Sequence, residues 1–149
     1  MIQRIQSIYL LLAAAVTGLQ FALPYATAPA NTPATTTAVF ADGQFNPADN
    51  IGLLGLAVLG AVLSAAAIFL FKNRPLQGRI AGLGMVVSVL AVALLGVVFF
   101  NVSKNLPAGS VVSYGIGGAL PVLAAVCNWL AQQAIRKDDE KVRSMDRLR

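Results

Sequence analysis

Asn50 to Phe71 reads NIGLLGLAVLGAVLSAAAIFLF, twenty-two residues without one ionisable side chain. At ~1.5 Å per helical residue, such a run matches a hydrocarbon core of ~30 Å. A charge at the centre of that core costs roughly 2.5–3.5 kcal/mol or more. A bilayer therefore selects stretches like this one.

The same exclusion recurs on either side. No Asp, Glu, Lys or Arg lies between Arg4 and Asp42, Asp49 and Lys72, Arg79 and Lys104, or Lys104 and Arg136. The pattern predicts four transmembrane helices over about 5–25, 51–71, 80–100 and 111–135. An outer loop, 26–50, and a charged helical tail, 136–149, make up the sizeable aqueous parts. The expected fold class is an all-α membrane protein, one four-transmembrane-helix bundle over residues 1–149. Composition agrees, with 57% hydrophobic and 11% charged residues against ~25% charged in soluble domains. A cleaved signal peptide is the rival for the first segment, since Ala26-Thr27-Ala28 resembles a small-x-small cleavage site. Pro29 directly after that cut disfavours the peptidase, so the segment is read as a retained helix.

Basic residues set the orientation. Arg4, then Lys72, Arg74 and Arg79, then Arg136, Lys137, Lys141, Arg143, Arg147 and Arg149 fall on one side, leaving only Lys104 opposite. The positive-inside rule places both termini in the cytoplasm. Here the net charge of +5 marks orientation and anionic lipid rather than nucleic acid. Arg4, Lys72, Arg74, Arg79, Arg136, Lys137, Arg143 and Arg147 are the expected contacts for lipid headgroups or a partner. The turn from Lys72 to Arg79 is expected to share a headgroup with Arg136 and Lys137.

Lipid tails are as apolar as leucine, so helices in a bilayer meet through small residues and interhelical hydrogen bonds. The packing candidates are Gly60 and Ser64 on the second segment, Gly78 and Gly82 at the third, and Gly115 and Gly118 at the fourth. Pro121 is expected to kink the fourth helix in its middle. The intramembrane polar residues are Thr17, Gln20, Ser88 and Asn128, with Cys127 a small buried hydrophobe. Gln20 is expected to bond another helix, and Asn128, beside Trp129, to lie where water reaches it.

Chemistry is scarce. Histidine is absent and Cys127 is the sole cysteine. No Ser-His pair, zinc motif or phosphate-cradling loop is present, and no intramembrane carboxylate can relay protons. The expectation is no enzyme, no cofactor and no metal.

In the outer loop, Thr35-Thr36-Thr37-Ala38-Val39-Phe40 followed by Asp42-Gly43 predicts a short β-hairpin returning through Phe45. A disordered Ala/Thr/Pro linker is the alternative for 27–35. The tail carries i,i+3 and i,i+4 charge pairs and a thin apolar stripe of Ile135, Val142, Met145 and Leu148, which predict a continued helix.

Three stretches together resemble a known family. They are the opening MIQRIQSIYLLL, the turn FKNRPLQGR (71–79) and YGIG (114–117), and the closing AIRKDDEKVRS (134–144) resembles that family's tail as well. The family is a domain of unknown function, whose members are small bacterial inner-membrane proteins with four helices. The resemblance implies the topology above and adds no activity. The expected role is a non-catalytic accessory or scaffold subunit of an envelope complex, with protein partners or a homo-oligomer. The alternative is a small oligomeric transporter or channel for a small solute, its path lined by Thr17, Gln20, Ser88 and Asn128. A weaker third is an enzyme acting on lipid at the inner face.

Overall fold

A computed structural model describes residues 2–30 and 32–146. The described residues form four α-helices: α1 (Ile2–Leu19), α2 (Ile51–Phe69), α3 (Arg74–Asn105) and α4 (Leu120–Asp146). Three stretches are long and apolar enough to cross a membrane, Ile51–Phe69, Arg74–Asn105 and Ile116–Val142, beside a shorter apolar helix, Ile5–Leu19. Each helix packs on its neighbours in sequence, and α1 closes the ring on α4.

Boundaries follow local chemistry. Asn50 starts α2, its side chain accepting from Gly52 N at 3.0 Å and Leu53 N at 3.2 Å, two donors that a helix start leaves without partners. Asn73 does the same for α3 through Leu76 N, and Pro75 fits the first turn, where no N–H is needed. The expected turn 72–79 is thus mostly helix. At its other end α3 runs on to Asn105, stopping where Pro107 holds Leu106 extended. The first helix is shorter than predicted, ending at Leu19 in tight turns ahead of Pro24.

Pro121 is not in mid-helix. It is the second residue of α4, after a 3-10 turn over Ile116–Ala119. In the first turn its missing N–H leaves no bond unmade, so no kink is required.

Beside a few others such as Val16, Val87 and Cys127, the buried positions include a line down each helix at intervals of four and three residues. Those in line are Gln6, Leu10, Ala13, Thr17 and Gln20 on the first strip; Leu53, Ala57, Gly60, Ser64 and Ala67 on α2; Gln77, Ala81, Gly84, Ser88, Ala91 and Leu95 on α3; and Ala124, Asn128, Ala131, Ile135 and Asp138 on α4. A 3.5-residue repeat is that of left-handed helix packing. Apart from Leu10, Leu53, Leu95 and Ile135 the strips are small or polar, whereas many large apolar side chains, such as Leu11, Val62, Val89 and Val126, face outward. This is the reverse of a water-soluble bundle, and it suits packing by close approach rather than by apolar burial.

One end carries a protein-like cap. Strands β1 (Ala26–Thr27), β2 (Gln44–Phe45) and β3 (Ser113–Tyr114) form an antiparallel sheet in the order β2-β1-β3, with Ala26 opposite both Phe45 and Tyr114. The predicted hairpin does not form from Thr35–Phe40. That stretch makes two single-turn 3-10 helices, Pro33–Thr36 and Ala38–Phe40. Thr32, Thr35 and Thr37 each turn a hydroxyl back onto the carbonyl three residues earlier, a local bond that competes with strand pairing. Gly43 supplies the turn expected of it with φ +76°, but the strand it feeds pairs with β1.

Beneath the sheet, Tyr25, Phe40, Phe45, Leu53 and Leu95 form an apolar core. Phe45 is its hub, meeting Tyr25, Phe40 and Phe99 edge-on at centroid distances of 5.5, 6.3 and 5.4 Å. Edge-to-face geometry adds about 0.5–1.5 kcal/mol per pair beyond burial.

Phe45→Ala is expected to cost about 3–5 kcal/mol, whereas Phe69→Ala, at a ring 78% exposed, should stay within about 0.5 kcal/mol. Denaturation in detergent followed by circular dichroism measures both. Burial also pushes the Tyr25 phenol up from 10.0 to about 12. The folded chain then holds a proton that the unfolded chain releases, so stability falls as pH rises from about 10 to about 12. Tyr25→Phe should flatten that part of the stability–pH curve.

Candidate functional site

Two places gather the polar chemistry of this chain: the middle of the bundle, and the end that carries most of the basic residues. In the middle, Asn128 on α4 is fully buried. Its Oδ1 accepts from Ser64 Oγ on α2 at 3.2 Å, and its Nδ2 donates to Ala124 O at 3.1 Å. Gly84 on α3 makes room, since a Cβ there would stand 3.0 Å from Asn128 Oδ1. One amide thus meets three helices. The expectation that water reaches Asn128 does not hold, because α4 places it at an interior strip position and Trp129 on the outside.

The other polar residues expected at membrane depth are also engaged within the chain. Thr17 Oγ1 donates to Ala13 O at 2.7 Å, and Ser88 Oγ donates to Gly84 O at 2.9 Å. Gln20 accepts from the Tyr25 hydroxyl at 2.9 Å, so its bond runs into the cap and not to another helix as expected. Two further buried glutamines, not among the expected polar residues, tie helices together. Gln6 Nε2 donates to Ala134 O at 3.2 Å, and Gln77 Nε2 to Ala67 O at 3.0 Å. Their signal was available, for both occupy the four-three strips.

The small residues divide by role. Gly60 faces Thr17 and Val87, a Cβ at Gly78 would stand 3.3 Å from Ile135, and Gln132 lies over Gly82, where a Cβ would collide with it. These sit between helices. Gly115 stands where a Cβ would collide with Pro24 O, and a Cβ at Gly118 would stand 3.7 Å from Tyr25 O. They let the start of α4 approach the 23–25 backbone, where Gly115 N donates to Tyr25 O at 2.9 Å.

At the basic end, Arg74 at the head of α3 faces Asp138 of α4 at 3.2 Å, an ion pair without aligned hydrogen-bond geometry. Arg74, Arg79 and Arg136 line one cavity of about 180 Å³ with Pro75, Gly78, Gln132, Ile135 and Asp139. Arg79 and Arg136 also border an adjoining shallow groove. Lys72 and Lys137 are exposed and line neither. Arg147 lies outside the described residues, as do the side chains of Arg4, Arg143 and Met145, and Leu148. At the sheet end, Lys104 rests its ammonium 4.2 Å from the centre of the Phe100 ring, an attraction of the cation to the ring face.

A double-mutant cycle of Ser64→Ala and Asn128→Ala is expected to give a coupling energy of ~0.6–1.7 kcal/mol. Gly84→Leu should disrupt the bundle more than either single change, by forcing the Asn128 amide off α3.

No curated protein and no solved structure matches this chain. A family profile does, covering residues 2–148 and including the basic turn, the glycines of the cap and the helical tail. The chain belongs to the family described as domain of unknown function DUF4293.

Proposed function

We propose that this protein is a non-catalytic accessory or scaffold subunit of a complex in the bacterial inner membrane, with both termini in the cytoplasm. The observation that carries this reading is the state of the buried polar groups. Thr17, Gln20, Ser64, Ser88 and Asn128 are each hydrogen-bonded inside the chain. A translocation path needs polar groups that exchange partners with a passing solute, and these serve packing instead.

Two features support the rest of the reading. The outward faces of the long helices are broad and apolar, which suits lipid or another membrane helix. Lys72, Arg74, Arg79, Arg136, Lys137 and Lys141 share one end of the bundle while Lys104 is at the other, which under the positive-inside rule makes that end cytoplasmic. The transporter alternative would need Thr17, Gln20, Ser88 and Asn128 released from their present bonds.

In a Cys127→Ala background, Asp42→Cys should react with an impermeant maleimide added outside intact cells. Lys141→Cys should react only after the membrane is opened. Purification in mild detergent is expected to retain reproducible partner chains, and the reconstituted protein to pass no solute faster than empty vesicles. Solute flux by the isolated protein would overturn the scaffold reading in favour of transport.

A further inference from the structure

The hollow at the basic end joins two different surfaces. Arg79, Gln132 and Arg136 line both the cavity of about 180 Å³ and the shallow groove beside it. The cavity side carries three arginines, Arg74, Arg79 and Arg136, against the carboxylate of Asp139. The groove side continues over Leu83, Val86 and Trp129. We propose that this composite hollow binds one anionic glycerophospholipid, its phosphate between Arg79 and Arg136 and one acyl chain along Leu83, Val86 and Trp129. This rests on the membrane reading above and adds to it a defined ligand.

The order of chemistry along the helices fits an amphiphile. From Arg79 to Val86 on α3, and from Arg136 to Trp129 on α4, the chain moves seven residues toward the bundle centre, about 10 Å at 1.5 Å per residue. On both walls a cation therefore gives way to an apolar side chain over the same depth. That is how a phospholipid changes from phosphate to hydrocarbon. Guanidinium groups present paired donors matched to phosphate oxygens. Gln132 adds an uncharged donor, brought into the hollow because Gly82 has no side chain beneath it. Arg74 faces Asp138, so the site's charge for a ligand comes from Arg79 and Arg136, both exposed. A free phosphate would satisfy the cavity and leave the groove unused. The apolar wall favours a lipid.

Trp129 is the sole tryptophan, half-exposed in the groove, and reports occupancy without any substitution. In nanodiscs of phosphatidylcholine, brominated phosphatidylglycerol at a low fraction should quench Trp129 more than brominated phosphatidylcholine at the same fraction. Arg79→Gln with Arg136→Gln should weaken this selective quenching about tenfold or more, as expected for loss of two charge-assisted contacts. Lys72→Gln with Lys137→Gln removes the same charge outside the hollow and should leave it unchanged. Equal quenching by both lipids in the unsubstituted protein overturns the proposal, as does an equal loss in both double variants, which would mean diffuse attraction only. Competition by inorganic phosphate as effective as that by added phosphatidylglycerol would overturn the lipid assignment. Extraction of cell membranes with alkaline carbonate keeps the two readings apart: release of the chain overturns the membrane reading, whereas retention without lipid selectivity overturns this inference alone.

Discussion

The amide of Asn128 is buried where three helices converge, and it must keep its hydrogen bonds there. A buried amide without partners costs several kcal/mol in an apolar medium, so α2 has to present Ser64 and α3 has to present Gly84 at that level. Sliding either helix by one residue would put a side chain of the wrong size or polarity against it. A single buried Asn is a known way to fix helix register. In this bundle the surrounding strips of Ala, Gly and Ser have little shape of their own with which to choose one.

Above and below that level the same logic is used with different groups. Toward the basic end, Gln6 and Gln77 each reach a backbone carbonyl on a neighbouring helix, and Arg74 meets Asp138. Toward the sheet end, polar ties give way to a compact aromatic core around Phe45. Such a core is held by the burial of apolar surface. The two ends of one short chain are thus held differently, one by polar ties between helices and the other by apolar burial. Between them, the close approach of the chain to itself at Gly115 joins cap and bundle.

Much of this was legible in the residues. The charge-free runs located α2 and gave the approximate extent of the other helices. The packing strips were half visible. Gly60 and Ser64 were singled out for their size, but the four-three spacing that links them to Leu53, Ala57 and Ala67 is masked by the large apolar residues around them. Hydropathy is nearly uniform across such a helix, so periodicity shows in side-chain volume rather than polarity. The cap was misread where local and distant bonds compete. Thr35 and Thr37 are β-formers by propensity, yet their hydroxyls close tight turns, and the strand partner of Phe45 lies 19 residues back at Ala26.

What the sequence determined by itself is what solvent dictates one segment at a time: which stretches tolerate oil and which end holds the cations. Each of those depends on the cost of placing a residue in a medium, and that cost needs no knowledge of neighbours. Tertiary structure alone decided which polar side chains are partners, why Pro121 opens a helix rather than bending one, and that Arg79 and Arg136 border the same hollow. These depend on contacts between residues far apart in the chain, and hydrogen-bond direction and close approach exist only once the helices have been brought together.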